Sequence, residues 1–317
     1  MESVGHFSSV LEFNQQFSTD GACRQYLADV RWGRRPKCPH CGRRKAYDLA
    51  HSTARPGLYK CARCRQEFTV TVGTIFEDSH VPLPKWFLAI YLIVNAKKGI
   101  STNSLSRLLG LTYKTTWFLT HRIRHTMEPI NQRRLRGIVE ADETYVGGKH
   151  RGGKRGRGSE SKTPLLALVQ RNGAVRTQVV EHVDARTLKT AIRASVAPST
   201  VMMTDEWGAY RGLRREFKGH GVVKHNRGEF ARRGGVHVNT AESFFALLKR
   251  GMYGTFHHVS KRHLHRYANE FGFRWTYKGE DGSEQFKRLL GQAVGRRLAY
   301  RQSTSRMSKF LVQGEGA

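Results

Sequence analysis

Apolar positions along the chain change period twice, and the changes divide it into three blocks. Up to about residue 78, short polar stretches surround RQEFTVTVGTIF, whose apolar and polar residues alternate as strands do. From 79 to 132 the spacing is helical. Pro82 and Pro84 punctuate the start of PKWFLAIYLIVNAKKG, which predicts one helix ending near Gly99. STNSLSRLLGLTYKTTWFLTHRIRHTM then predicts a short helix with Leu105, Leu108 and Leu109 inward. A turn at Gly110 and a longer helix from about Thr112 complete that block.

From about 133 to 280, strands alternate with helices. RGIVEADETYVGG, PLLALVQR and VRTQVVEHV read as strands, the last two joined by a turn at Asn172-Gly173. DARTLKTAIRASV reads as a helix with Asp184 near its cap, and VMMTD as a short buried strand. EWGAYRGL is expected to be a short helix and GVVKHN a strand. HVNTAESFFALLKRG follows as an amphipathic helix burying Phe244, Phe245 and Leu248. Three strands, helix, strand, helix, strand, helix is the element order of an RNase H-like mixed sheet, an α/β fold. Residues 281–317 form a C-terminal tail to which no role is assigned.

Charge changes the picture. With 55 Lys and Arg against 25 Asp and Glu, the formal net charge is +30, spread along the whole chain. Such a field favours a polyanion, nucleic acid before anionic membrane. The longest apolar run, WFLAIYLIV, is too short to span a bilayer, and the N-terminus lacks a secretory apolar stretch. A cytoplasmic protein without membrane contact is expected. Against that charge, the paired helices of the middle block match a helix-turn-helix. Its second helix would offer Tyr113, Lys114, Thr116, His121 and Arg124 to DNA. The spacer KHRGGKRGRGSESKT, with Lys149, Arg151, Lys154 and Arg155, cannot pack. It either lies along a phosphate backbone or is solvated.

Five cysteines stand in the chain: Cys23, Cys38, Cys41, Cys61 and Cys64. CPHCG and CARC are two CxxC pairs, with nineteen residues between Cys41 and Cys61. Each pair can set two thiolates on one tetrahedral ion, so the four close a structural zinc ribbon that supplies folding energy. Cys23 reads as a small core residue and His40 as solvent-facing.

In so basic a chain, carboxylates next to apolar strands carry information. Asp142 shares a strand face with Glu140 and Thr144, while Glu143 and Tyr145 take the other. Asp205 ends the VMMTD strand, where α/β sheets gather ligands; it also suits the cap of EWGAY. Glu242 has two readings. With Asn239 it makes a capping-box pattern; alternatively it faces a cleft with Lys249, seven residues and roughly 10 Å further along the helix. In an RNase H-like sheet, Asp142, Asp205 and Glu242 converge, and such oxygen donors suit Mg²⁺. Two ions roughly 4 Å apart could activate a water or 3′-hydroxyl and stabilise the leaving oxygen of a phosphodiester. Glu140, Glu143 and Glu206 stay open as alternatives on spacing alone. Trp207 could stack on an unpaired base or be packing.

VEADETYVGGK, MTDEWGAYRGL and HVNTAESFFALLKRGMYGTFHHVSKRHLHRY, after CPHCG, CARC and FTVTVGTIF, closely resemble bacterial insertion-sequence transposases. These carry an N-terminal zinc ribbon and a DDE catalytic domain. The resemblance covers about residues 10 to 275 and grows looser at FRWTYKGED, where an Asn-containing FRYN run would be expected. It implies Asp142, Asp205 and Glu242 as the acidic triad, Lys249 beside it, and Mg²⁺ or Mn²⁺ as cofactor. It further implies end cleavage and strand transfer on terminal inverted repeats and target DNA. Self-association on DNA at the nucleoid belongs to the same expectation.

Overall fold

The computed structural model describes residues 5–49, 56–129, 133–147 and 162–300. The basic spacer with Lys149, Arg151, Lys154 and Arg155 lies outside the described residues. Packing divides the chain into two compact units, residues 1–127 with 279–317, and residues 128–278.

The first unit opens with two short helices, α1 (Val10–Gln16) and α2 (Asp20–Trp32), each started by a hydroxyl cap from Ser9 or Thr19. Cys23 is fully buried on α2. A three-stranded antiparallel sheet follows, β1 (Ala46–Asp48), β2 (Leu58–Cys61) and β3 (Glu67–Thr69). The alternation in RQEFTVTVGTIF is therefore realised as a strand over three residues only; turns take the chain onward from there. Helix α3 (Leu83–Asn95) starts at Pro82 and buries Leu83, Trp86, Phe87, Ile90, Ile93 and Val94, a helical stripe. Helix α4 (Thr102–Leu109) ends at Gly110 in the left-handed conformation, and Thr112 caps α5 (Tyr113–Thr126).

Two details differ from the sequence expectation. Leu108 is exposed, because the inward stripe of α4 runs through Thr102, Leu105, Ser106 and Leu109. In α5 every side chain from Thr120 to Arg124 is buried. Arg122 donates to the Glu77 carbonyl and lays its guanidinium over Trp86 and Phe118. A long cationic side chain can thus line a core through its stem and plane.

The second unit is a five-stranded mixed sheet of order β6-β5-β4-β7-β8. Its strands are β4 (Ile138–Val146), β5 (Thr163–Gln170), β6 (Val175–Val179), β7 (Val201–Asp205) and β8 (Gly219–Val223). β5 runs antiparallel to both of its neighbours, β4 and β6, whereas β7 lies parallel to β4 and β8 parallel to β7. This is the RNase H-like arrangement. The β5–β6 turn uses Asn172 at φ 55°, a value Asn tolerates better than most side chains.

Strand alternation sorts the core onto two faces. Val139, Ala141, Leu166, Leu168 and Met202 meet α6 (Ala185–Ser195) and Tyr210. Leu165, Ala167 and Val169 meet α7 (Asn239–Gly251) and α8 (Leu264–Thr276). EWGAYRGL is not one helix. It forms two single 3₁₀ turns, broken at Gly212, whose φ of 88° favours glycine. The chain then returns to the first unit with α9 (Gly282–Gln292), which buries Phe286, Leu289 and Leu290. Among the described residues no helix is long and apolar enough to cross a membrane.

Candidate active site

β4 and β7 pair in parallel with Ile138 opposite Val201 and Glu140 opposite Met203. Two residues beyond that last rung on each strand stand Asp142, midway along β4, and Asp205, at the carboxyl end of β7, both on the face covered by α7. Glu242 projects from the first turn of that helix, its side chain about half exposed, with Oε1 3.8 Å from His225 Nε2. The three carboxylates are close enough to act on one another. Burial pushes Asp142 up to about 7, with Glu143, Asp205 and Glu242 adding to the rise and the Glu143 N–H opposing it. Their oxygens do not form a cage of the closeness seen at the cysteines, the one such donor group among the described residues. Hard oxygen donors crowded at the end of a basic chain's sheet nonetheless suit a divalent cation, which relieves that repulsion. Lys249 is exposed and lies two turns along from Glu242 on α7.

The neighbouring carboxylates are otherwise engaged. Glu140 is completely buried and accepts the Ala241 N–H and Thr240 hydroxyl, both at 2.9 Å. It therefore caps α7 from across the sheet, 101 residues away. Arg171 Nε closes on it at 2.7 Å, and the other guanidinium nitrogens hold the Gly235 and His237 carbonyls. The capping box expected from Asn239 and Glu242 is absent: α7 begins at Asn239 without a side-chain cap from its own sequence. Glu143 accepts the hydroxyl of buried Tyr210 at 2.7 Å. Glu206 accepts the backbone N–H groups of His225 and Asn226. Burial opposes its charge, yet those donors and its own N–H hold it below the usual carboxylate range. Asp205 Oδ1 accepts the Trp207 N–H at 3.0 Å. Trp207 itself packs, partly buried, against the α6-side core. Tyr210, Arg171 and His237 were not singled out from sequence. Only the period-two sharing of a face by Glu140 and Asp142 hinted at this support.

The Asp142 shift sets a pH dependence. Its pKa is raised on folding from 3.8 to about 7, so the folded protein holds a proton the unfolded chain has released, and stability falls as pH rises through that window. In chelator at pH 8, Asp142→Asn should therefore be more stable than the parent by roughly 2 kcal/mol, less than the full linkage value because Asp142 keeps some solvent contact. Urea unfolding at pH 5 and 8 checks it: the gain should shrink to less than half at pH 5, which lies between the two pKa values, because it vanishes only below 3.8.

In the first unit, Sγ atoms of Cys38, Cys41, Cys61 and Cys64 all lie within 4.8 Å of one another. The Cys64 N–H leads the effects that pull the Cys61 thiol down to about 6. Gln66 N–H pulls on Cys64 as well, yet burial and the three nearby sulfurs push it up to about 12. Four sulfurs so crowded cannot all ionise without a cation, and tetrahedral Zn²⁺ fits them. Cys38→Ser or Cys61→Ser should each lose the metal, from about one zinc per chain to near none by elemental analysis, and unravel β1–β3. His40 is exposed, outside the cluster.

Of the five helical residues expected at DNA, Tyr113 and Lys114 are exposed. Thr116, His121 and Arg124 are fully buried and present no surface to a duplex. Thr116 opens the inward stripe that continues through Leu119, Thr120 and Ile123, and its hydroxyl bonds back to the Thr112 carbonyl. His121 packs its ring against Trp117, centroids 4.1 Å apart and tilted by 53°.

Comparison with known proteins fits this layout. Residues 134–276 match the model described as an ISXO2-like transposase domain, and residues 18–67 a transposase zinc-ribbon domain. The chain is also 29% identical over 301 residues to an uncharacterized protein in transposable element ISH50 of Halobacterium salinarum. The alignment covers 88% of this chain and 98% of that relative. The two domain matches and this relative support an insertion-sequence transposase with an N-terminal zinc ribbon. The transposase domain match falls within the second unit, around the acidic cluster, and the ribbon match spans β1, β2 and all four cysteines. Transposase function, nuclease-class chemistry in general and DNA as partner follow from these domain matches.

Proposed function

We propose that this transposase is a DDE enzyme, whose Asp142, Asp205 and Glu242 carry cleavage of transposon ends and transfer of the strands to target DNA. The observation that supports it best is the register of β4 and β7, which sets Asp142 beside Asp205 beneath the helix that bears Glu242. These three would hold Mg²⁺ or Mn²⁺, which when bound activates a water or 3′-hydroxyl and stabilises the departing oxygen. The chain's own part is to orient. Glu140 fixes where α7 starts, and Trp207 N–H fixes the Asp205 carboxylate. Asp142 releases its proton as it takes up the cation. Lys249, exposed on the same helix, steadies a phosphate at the rim. Tyr113 and Lys114, with the ribbon, bind the terminal inverted repeats, and copies of the chain act together on DNA at the nucleoid.

The test is labelled end DNA with purified protein and a series of divalent ions. Nicked and joined products support the reading. Nicks without joined products point to a plain nuclease, and binding without either points to a DNA-binding protein.

A further inference from the structure

The first zinc knuckle folds two cationic runs against each other. Gly42 N–H donates to the Cys38 carbonyl, and Cys38 N–H donates to the Arg43 carbonyl. Gly42 makes the reversal at φ 74°, where a side chain would be strained. Consequently Arg34-Arg35-Pro36-Lys37 and Arg43-Arg44-Lys45 run back along one another on either side of the metal ligands. Between them lies an open groove of about 880 Å³, walled by Arg35, Lys37, Arg43, Arg44 and Lys45. Pro36, Gly42 and Ala46 complete it, so its wall contains neither a carboxylate nor an aromatic ring. All five cations are exposed, and among the described residues none is paired with an acid.

We infer that this groove is a binding site for the phosphate backbone of double-stranded DNA, contacted without regard to base sequence. The inference rests on the DNA-acting reading above and adds the surface. Like charges gathered on a small ribbon repel unless a polyanion lies among them, and a duplex offers one phosphate per about 1.7 Å of axis. The absence of a ring from the wall argues against single strands, whose binding leans on base stacking. Apart from Ala46, the first residue of β1, the wall is loop, so the site positions the protein and leaves base reading to other surfaces.

The experiment titrates the full zinc-loaded chain with a fluorescent 30-base-pair duplex of arbitrary sequence between 50 and 300 mM KCl. Arg43→Gln/Arg44→Gln/Lys45→Gln should flatten the slope of log Kobs against log salt by about 2–3 and weaken binding about 10²-fold at 100 mM. Arg35→Gln/Lys37→Gln, on the opposite wall, should flatten it by about 2, so a folding failure of one variant does not end the test. Zinc content and circular dichroism must match the parent. The control is Lys97→Gln/Lys98→Gln/Arg107→Gln, which removes three exposed cations of the same unit outside the groove and should change the slope by less than about 1. An unchanged slope in both groove variants overturns the inference, as does an equal loss in the control. Tighter binding to duplex RNA or to oligo-dT of the same length overturns it too. Cleavage is not read in this titration, so an inactive catalytic site and an idle groove give separable results.

Discussion

Asp205→Asn should leave binding to transposon ends within about twofold of the parent while cutting strand cleavage and joining by roughly 10³-fold or more, about 4 kcal/mol of barrier. The substitution is clean because Asp205 Oδ1 accepts the Trp207 N–H, and asparagine keeps that oxygen. Only the charge disappears, and with it one of the three carboxylates able to hold a cation. Glu242→Gln should behave alike. Its side chain is about half exposed and does not cap α7, so its loss leaves the helix in place. Gel analysis of end cleavage beside a binding titration reads both quantities. Cleavage by Asp205→Asn at the parental rate would remove that residue from the chemistry.

Glu140→Ala is expected to be the most destabilising single change in the second unit, costing about 3–5 kcal/mol. Four partners converge on that carboxylate: Arg171 Nε, Thr240 Oγ1, Ala241 N–H and, at 3.2 Å, His237 Nδ1. Its removal strands a largely buried guanidinium and the first turn of α7 at once. Glu140→Gln keeps the shape and one acceptor, so about 1–3 kcal/mol is expected. Hydrogen exchange of the full chain should locate the loss at residues 238–251, and adding Arg171→Ala to Glu140→Ala should cost less than the two single changes summed. A Glu140→Ala protein as stable as the parent would mean that the network contributes nothing.

Much of this fold was legible because its signals are local. CxxC spacing identifies the ribbon, and the helical stripe of WFLAIYLIV identifies α3. Element order yields the mixed sheet. The misreadings share one physical origin, contact between residues far apart in the chain. Asn239 and Glu242 make a capping pattern on paper, yet the cap comes from Glu140, a strand away. His121 and Arg124 look like a DNA-facing row, yet α5 is buried on all sides there. Leu108 satisfies a leucine count but falls off the inward stripe of so short a helix. Gly212 ends what composition reads as one helix. At the candidate site, spacing could not separate Asp142 from Glu140 or Glu143. Their partners favour Asp142: Glu140 is engaged by α7 and Arg171, and Glu143 accepts from Tyr210.

The return of α9 has a consequence for synthesis on the ribosome. Phe286 on that helix sits within an aromatic cluster, with ring centroids 5.3–5.6 Å from Phe87, Phe13, Phe7 and Phe17. The nascent N-terminal unit therefore waits with an open hydrophobic pocket until α9 has been translated, while the sheet unit between can fold first. A premature stop after residue 278 leaves a product with an intact sheet and a greasy wound in its other half, material for proteases and chaperones. Translation through α9 thereby becomes a condition for a persistent enzyme.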